Sequence, residues 1–118
     1  MNLFKQIIGD SGIQALNPLE AQVRLSGQPA PYVLDVREPH EFRAGHIAGA
    51  ALIPLGQLRA RAAELPADRD ILCVCLSGSR SGVAARQLTA MGFKCLNLSG
   101  GMAAWLRAGL PVKSGAAR

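Results

Sequence analysis

The apolar segment at residues 71–75 constrains the fold more than any other part of the chain. It reads Ile-Leu-Cys-Val-Cys with no polar alternation, which is typical of a central parallel strand that is buried on both faces. A short loop follows at 76–79, and residues 80–91 have helical apolar spacing before Gly92 ends the helix. The apolar positions of that helix are Val83, Ala84, Leu88 and Met91. The sequence therefore predicts a strand, a tight loop and a helix, with Cys75 at the carboxyl end of the strand.

Strands and helices alternate along the rest of the chain. Apolar runs predict further strands at residues 32–35, 51–53 and 94–98. Capping residues and helical spacing predict helical segments at 18–25, 38–42, 57–65 and 102–108. This alternation favours an α/β fold, a mainly parallel sheet with helices on both faces. Ligands bind beyond the carboxyl ends of strands in such sheets, which is where Cys75 is expected.

The chain is interpreted as a single domain over residues 1–118. A length of 118 residues is common for one domain, and no long polar or repetitive stretch divides it. The core is expected over about residues 13–112. A short lead precedes it, and a loose tail at 113–118 follows it.

Charge and hydropathy disfavour two classes of partner. Thirteen basic and eight acidic residues give a net charge of +5, but the basic residues are scattered, so nucleic-acid binding is not expected. This positive balance suits a small anionic substrate. The longest apolar stretch, residues 47–55, contains Gly49 and Pro54 and is far shorter than the roughly 20 residues that span a bilayer. No membrane association is expected.

A cytoplasmic location is the expectation for this chain. Residues 1–9 lack the apolar region of roughly 7 to 15 residues that marks a secretory signal. Three cysteines are an odd number for a short chain, which fits a reducing compartment with free thiols.

The loop from Cys75 to Arg80 carries the candidate chemistry. Small side chains at Ser77, Gly78 and Ser79 leave the backbone N–H groups unobstructed. If the loop curls around the sulfur, these amides and the N-terminus of the following helix form an anion-binding nest. Such surroundings lower the pKa of a thiol, so that the reactive thiolate predominates. The alternative is that Cys75 is one more small core residue followed by an ordinary turn.

Four segments, in order, resemble the rhodanese family of sulfurtransferases. They are D-V-R-E at residues 35–38, G-H-I-A-G-A at 45–50, the loop at 75–80, and G-G-x-x-x-W at 100–105. The resemblance covers about residues 17–112. It implies a five-stranded parallel sheet and a ping-pong reaction without a cofactor, in which Cys75 takes a sulfane sulfur as a persulfide. A small anionic donor such as thiosulfate, or a persulfide, would supply that sulfur, and a thiol, cyanide or protein thiol would accept it.

The length and composition of the loop refine this expectation. The six residues from Cys75 to Arg80 match the loop of the family's sulfurtransferases, whereas related phosphatases and arsenate reductases use seven. Leu76 stands where thiosulfate-using members often carry a basic residue, so the charge beside the sulfur is reduced. Leu76, Ser77, Gly78, Ser79 and Arg80 are the predicted substrate-binding and loop residues. Arg80 could support the loop or bind a substrate anion.

Several other residues are given structural roles. Asp35 and Arg37 could steer substrate or hold Arg80, but the resemblance assigns them mainly an ion pair. His46 matches a turn-fixing histidine of the family rather than a proton shuttle. No role is assigned to His40.

The remaining cysteines are expected in the core. Cys73 could act as a resolving thiol, although its place inside the apolar run favours a core role, as for Cys95. No metal site is expected, because no further cluster of Cys or His completes four ligands.

Two alternatives to an enzyme that turns over a small donor stay open. One is a persulfide carrier or protein-interaction module with little turnover of free thiosulfate, to which Leu76 points. The other is a small-anion phosphatase or arsenate reductase, which the six-residue loop disfavours.

Overall fold

A five-stranded parallel sheet runs through the molecule, and helices cover both of its faces. The computed structural model describes residues 12–117. The strands are β1 (Gln14–Leu16), β2 (Tyr32–Asp35), β3 (Ala51–Leu52), β4 (Ile71–Val74) and β5 (Cys95–Leu98). The α-helices are α1 (Pro18–Leu25), α2 (Pro39–Ala44), α3 (Leu58–Arg61), α4 (Ser79–Ala90) and α5 (Gly101–Arg107). Short 3-10 helices at Leu55–Gln57 and Ala62–Glu64 flank α3.

The strand that precedes Cys75 lies at the centre of the sheet. The strand order is β1-β5-β4-β2-β3, and every neighbouring pair is parallel. All four residues of β4 are buried, as the continuous apolar run predicts. The predicted α/β class is confirmed, and the carboxyl ends of the strands meet at one edge, where Cys75 lies.

Two apolar clusters hold the helices against the sheet. On one face, Ala84, Ala85 and Leu88 of α4 pack on alternate residues of β2 and β4. On the other face, Ala21 of α1 and Trp105 of α5 pack on the opposite set of strand residues. Because β2 and β4 bury side chains on both faces, the sheet supports α4 and α5 rigidly at the edge that carries Cys75.

Local sequence signals account for the helix starts. Asn17 and Glu20 form a capping box at the N-terminus of α1, and Pro18 occupies its first turn. Trp105 fills the core beneath α5, and its indole N–H donates to the Pro111 carbonyl at 3.0 Å. Trp105 therefore anchors α5 in the core.

The structure departs from the sequence pattern in three elements. The pattern alone did not indicate β1, a three-residue strand paired only with β5. The helix expected over 57–65 is instead broken into α3 and two 3-10 turns. Met91, expected on the apolar face of α4, is exposed because it caps the helix end, and Ser81 is buried on that face instead.

The C-terminal segment is attached at two points, whereas the sequence predicts a loose tail. Lys113 and His46 exchange backbone hydrogen bonds of 2.8 and 2.9 Å, and the Gly115 N–H donates to the Arg43 carbonyl. These bonds satisfy backbone groups that would otherwise face solvent. The predicted N-terminal lead lies outside the described residues except for Gly12. Among the described helices, none has the length and apolar character needed to cross a membrane.

Candidate active site

Cys75 follows the last residue of β4 and lies beneath a tight loop. Its side chain is 1% exposed, so its sulfur is shielded from bulk water. Gly78 takes a left-handed φ of 102°, which a residue with a side chain rarely adopts. This conformation turns the chain from the strand end into α4, which begins at Ser79. The predicted loop residues 75–80 are thus brought together around the sulfur.

Hydrogen-bond donors converge on the Cys75 sulfur. The Gly78 N–H lies 3.1 Å from Sγ, and the Ser81 hydroxyl oxygen lies 3.3 Å from it. Burial alone would raise the pKa of Cys75, but hydrogen bonds from the Ser81 hydroxyl and from the amides of Ser81, Gly78 and Ser77 outweigh it. The pKa of the thiol is therefore lowered from its ordinary value. The arrangement favours a thiolate, as the loop sequence predicts.

The N-terminus of α5 supports the loop from behind. The N–H groups of Met102 and Ala103 donate to the carbonyls of Cys75 and Leu76 at 2.8 and 2.9 Å. Gly101, with a φ of 57°, lies so close to these two residues that a Cβ there would overlap their backbone atoms. The close approach explains why the G-G pair stands before α5, and it leaves the loop amides free to face the sulfur.

Glu41 and Arg80 form a bidentate ion pair. The guanidinium nitrogens of Arg80 lie 2.7 and 2.9 Å from the Glu41 carboxylate oxygens. The hydrogen bond from Arg80 lowers the pKa of Glu41 to about 2, so this carboxylate is ionised at neutral pH. Arg80 is thereby tied to α2, and its charge is offset by Glu41. Its roles in supporting the loop and in binding a substrate anion stay predictions.

Asp35 and Arg37 form a separate, buried ion pair. Their closest nitrogen and oxygen atoms are 2.7 Å apart, and Arg37 also donates to the Gly45 carbonyl at 2.8 Å. Both side chains are at most 5% exposed. The pair therefore links the end of β2 to the end of α2. The carboxylate that hydrogen-bonds Arg80 is that of Glu41, whereas Asp35 hydrogen-bonds Arg37.

His46 stabilises the turn that follows α2. Its Nδ1 lies 2.8 Å from the Phe42 carbonyl oxygen. Because a carbonyl oxygen only accepts hydrogen bonds, this tautomer of the ring carries its hydrogen on Nδ1 and donates. Its ring stacks on Phe42 with centroids 3.7 Å apart. These contacts agree with the turn-fixing role, and His40 is exposed on the same helix.

Cys73 and Cys95 form a second pair of thiols inside the sheet. Both are free, and both face α4 together with Cys75. The hydrogen bond to Cys95, followed by burial, raises the pKa of Cys73 well above its ordinary value. Cys73 therefore stays protonated, as suits a core residue. In residues 12–117, no three His, Cys, Asp or Glu side chains cluster as metal ligands would.

Three residues that contact Cys75 or its neighbours in the site were not predicted as site residues. Ser81 contacts Cys75, Asn97 contacts Ser81, and Glu41 binds Arg80. Ser81 did leave a signal, because it shares helical spacing with buried Ala84, Ala85 and Leu88, and a hydroxyl on that face needs a partner. Asn97 is likewise a polar residue within a strand.

Comparisons with known proteins agree with this geometry. The sequence matches the rhodanese-like domain family over residues 17–108. It is 39% identical over 90 residues to a protein named sulfurtransferase from Allochromatium vinosum, which covers 75% of this chain and 84% of that protein. It is 45% identical over 74 residues to the putative sulfur carrier protein YrkF of Bacillus subtilis, which covers 62% of this chain and 40% of that longer protein. The crystal structure of a rhodanese-related protein from Thermoplasma volcanium has a TM-score of 0.79 at 32% identity, and the match covers 84% of this chain and 96% of that one.

Proposed function

Because the chain belongs to the rhodanese-like domain family, we propose that it is a sulfurtransferase whose Cys75 carries the transferred sulfur as a persulfide. The observation that supports this most directly is the ring of donors around a buried strand-end sulfur. A charged sulfur in that place is stabilised by a backbone N–H group and a hydroxyl group. A neutral core thiol would need no such donors.

The proposed reaction has two steps, each an attack on sulfur. In the first, the Cys75 thiolate attacks the outer sulfur of a donor such as thiosulfate or a persulfide. A sulfur–sulfur bond forms on Cys75 and the donor's own sulfur–sulfur bond breaks, releasing sulfite or a thiolate. In the second, a thiol, cyanide or protein thiol attacks the outer sulfur, and the Cys75 thiolate leaves. No general base is required for the first step when the thiol is already ionised.

The loop supplies electrostatic stabilisation in both steps. Negative charge lies on Cys75 before attack and moves to the outer sulfur of the persulfide. The Gly78 N–H and its neighbouring amides are held in place by Gly101 and α5, so they need not reorganise as the charge moves.

A second candidate, a persulfide carrier that receives sulfur from a partner protein, is favoured by the surroundings of the loop. Leu76 beside the sulfur is 47% exposed, and Glu41 offsets the charge of Arg80. Both features weaken attraction for a free dianion such as thiosulfate, while an exposed apolar side chain suits contact with another protein.

The decisive measurement is intact-protein mass after treatment with thiosulfate or a persulfide donor. Wild type should gain one sulfur atom, and Cys75→Ser should gain none. Cys73→Ser is the matched control, because it removes a thiol from the same face of the same strand and should still gain the sulfur. Equal sulfur gain by Cys75→Ser and wild type would refute the proposal.

Turnover separates the two candidates. Steady-state production of thiocyanate from thiosulfate and cyanide is expected of the enzyme. A carrier would form the persulfide and transfer it to a protein thiol, with little turnover of free thiosulfate. Hydrolysis of an aryl phosphate would instead revive the phosphatase alternative.

The domain and its location remain proposals of the same kind. The single sheet with its two clusters supports one domain with a core at about residues 13–112. Three free cysteines support a reducing compartment such as the cytoplasm.

A further inference from the structure

Four residues close a ring of hydrogen bonds that begins and ends at the Cys75 sulfur. Ser81 Oγ lies 3.3 Å from Cys75 Sγ and 2.6 Å from Asn97 Oδ1. Asn97 Nδ2 donates to the Gly78 carbonyl at 3.2 Å, and the Gly78 N–H returns to Cys75 Sγ at 3.1 Å. Asn97 thus contacts Gly78 and Ser81, two of the residues that donate to the sulfur, although no hydrogen bond joins it to the sulfur itself.

Simple chemistry determines the direction of this ring. The Gly78 carbonyl is an acceptor, so the Asn97 amide must turn its NH₂ group toward it and its oxygen toward Ser81. Two oxygens 2.6 Å apart need a proton between them, and Asn97 Oδ1 has none to give. The single hydroxyl proton of Ser81 therefore lies on the Asn97 side while Cys75 is a thiol. In that state the Cys75 S–H can donate to Ser81 Oγ.

Ionisation of Cys75 changes which acceptor the Ser81 hydroxyl prefers, Asn97 Oδ1 or Cys75 Sγ. A thiolate cannot donate, and it is a stronger acceptor than a neutral amide oxygen. Rotation of the Ser81 hydroxyl moves its proton toward Sγ without movement of any heavy atom, since both acceptors are already within reach. Asn97 Oδ1 then loses its proton donor, so Asn97 competes with Cys75 for one hydroxyl.

We propose that Asn97 is a positioning residue of this site, which holds the Ser81 hydroxyl until negative charge develops on Cys75 Sγ. The role in catalysis rests on the proposed sulfur transfer. In that reaction, charge is on Sγ before the attack, leaves it in the persulfide and returns when Cys75 is the leaving group. The Ser81 hydroxyl turns to Sγ in the charged states and back to Asn97 in the persulfide, so a donor is always ready.

The simpler account is that Asn97 only ties the loop to β5 through the Gly78 carbonyl. The two accounts predict opposite changes in the pKa of Cys75 when Asn97 loses its polar atoms. A loosened loop would withdraw the Gly78 N–H from the sulfur and raise that pKa. Release of the Ser81 hydroxyl from its competitor would instead lower it, and only while Ser81 is present.

A double-mutant cycle decides between them. The pKa of Cys75 is read from thiolate absorbance near 240 nm, as the difference from Cys75→Ser in each background. We expect Ser81→Ala to lower the ionisation constant about tenfold, which is the effect of one hydrogen bond to a charged group. Asn97→Leu, similar in shape, should raise the constant about threefold when Ser81 is present and leave it unchanged in the Ser81→Ala background.

Either of two results would overturn the proposal. One is a fall in the ionisation constant for Asn97→Leu, and the other is an equal change in both backgrounds. Asn97→Ala provides a second test with the same expected pattern, should the leucine variant fold poorly. These titrations need no sulfur donor. A failure to form persulfide with the pattern intact would therefore count against the proposed function alone.

Discussion

Cys73 and Cys75 lie two residues apart and face the same side of the sheet, yet their pKa values are shifted in opposite directions. Both are buried, at 0% and 1% exposure, and both belong to one apolar cluster. Cys73 lies inside β4, where the neighbouring N–H groups are used by the sheet. Cys75 lies just beyond the strand, where the next amides are free to face its sulfur. Burial alone therefore does not decide the direction of the pKa shift; the available hydrogen-bond donors do.

The end of strand β4 explains why the pKa values of the two thiols shift in opposite directions. The hydrogen bond with Cys95 and burial both favour the neutral form of Cys73, which raises its pKa. Burial acts in the same direction on Cys75, but four hydrogen bonds favour its charged form and lower its pKa. Three of these bonds come from backbone N–H groups of the loop and of the first turn of α4. These N–H groups are available to the sulfur because the strand ends at Val74.

The comparison predicts a large difference in reaction with a small alkylating agent. At pH 7, iodoacetamide should modify Cys75 much faster than Cys73, because only the thiolate reacts and the pKa of Cys75 is lowered while that of Cys73 is raised. Peptide mass spectrometry after timed quenching measures each cysteine separately, including Cys95. Unfolding in urea is the control and should make the rates similar. Similar rates in the folded protein would remove the basis of the comparison.

The next largest effect is expected where the loop meets α5. Gly101→Ala would place a Cβ against the backbone of Cys75 and Leu76 at a positive φ, so the loop must move. We expect a loss of about 2 to 3 kcal/mol in the free energy of unfolding, from overpacking and the left-handed conformation. The pKa of Cys75 should rise toward that of an ordinary thiol. Urea unfolding and thiolate absorbance measure the two effects.

Gly109→Ala is the matched control for this variant. Gly109 has a φ of 73° and no atom within 4 Å of its Cβ position. Its substitution should lower the free energy of unfolding by about 1 kcal/mol, because of the left-handed conformation alone, without a steric clash at the Cβ. An unchanged pKa of Cys75 in Gly101→Ala would show that the loop does not depend on this close approach.

Local patterns in the sequence revealed the parts of the site that lie next to each other in the chain. The apolar run of β4, the small loop residues and the spacing of α4 are all consecutive, so they predicted the place of Cys75 and the tight loop after it. The resemblance added the fifth strand, which the residues Gln14–Leu16 do not reveal. Three residues on an edge strand form no run, and their partner in the described sheet, β5, is about eighty residues away along the chain.

The residues that the sequence did not reveal act through partners on other elements. Glu41 binds Arg80 from α2, and Asn97 reaches Ser81 from β5. Each residue type is ordinary in its own element, so its role appears only when the sheet brings the strand ends together. Ser81 was also not predicted, but its position left a signal in the sequence, because a hydroxyl on the buried face of a helix implies a polar neighbour.

The smallest effect is expected from the partly exposed ion pair between Arg80 and Glu41, which sets the charge near Cys75 and has no counterpart beside the buried Cys73. Glu41→Gln keeps the shape of the side chain and leaves the charge of Arg80 unbalanced. Attraction for an anionic donor then increases, so the KM for thiosulfate should fall about two- to threefold at low salt, within the range of a partly exposed pair. Because the pKa of Glu41 is about 2, this difference should not change between pH 5 and 8. Glu64→Gln, which breaks the exposed pair with Arg61, should leave the KM unchanged, and an equal fall there would assign the effect to net charge alone.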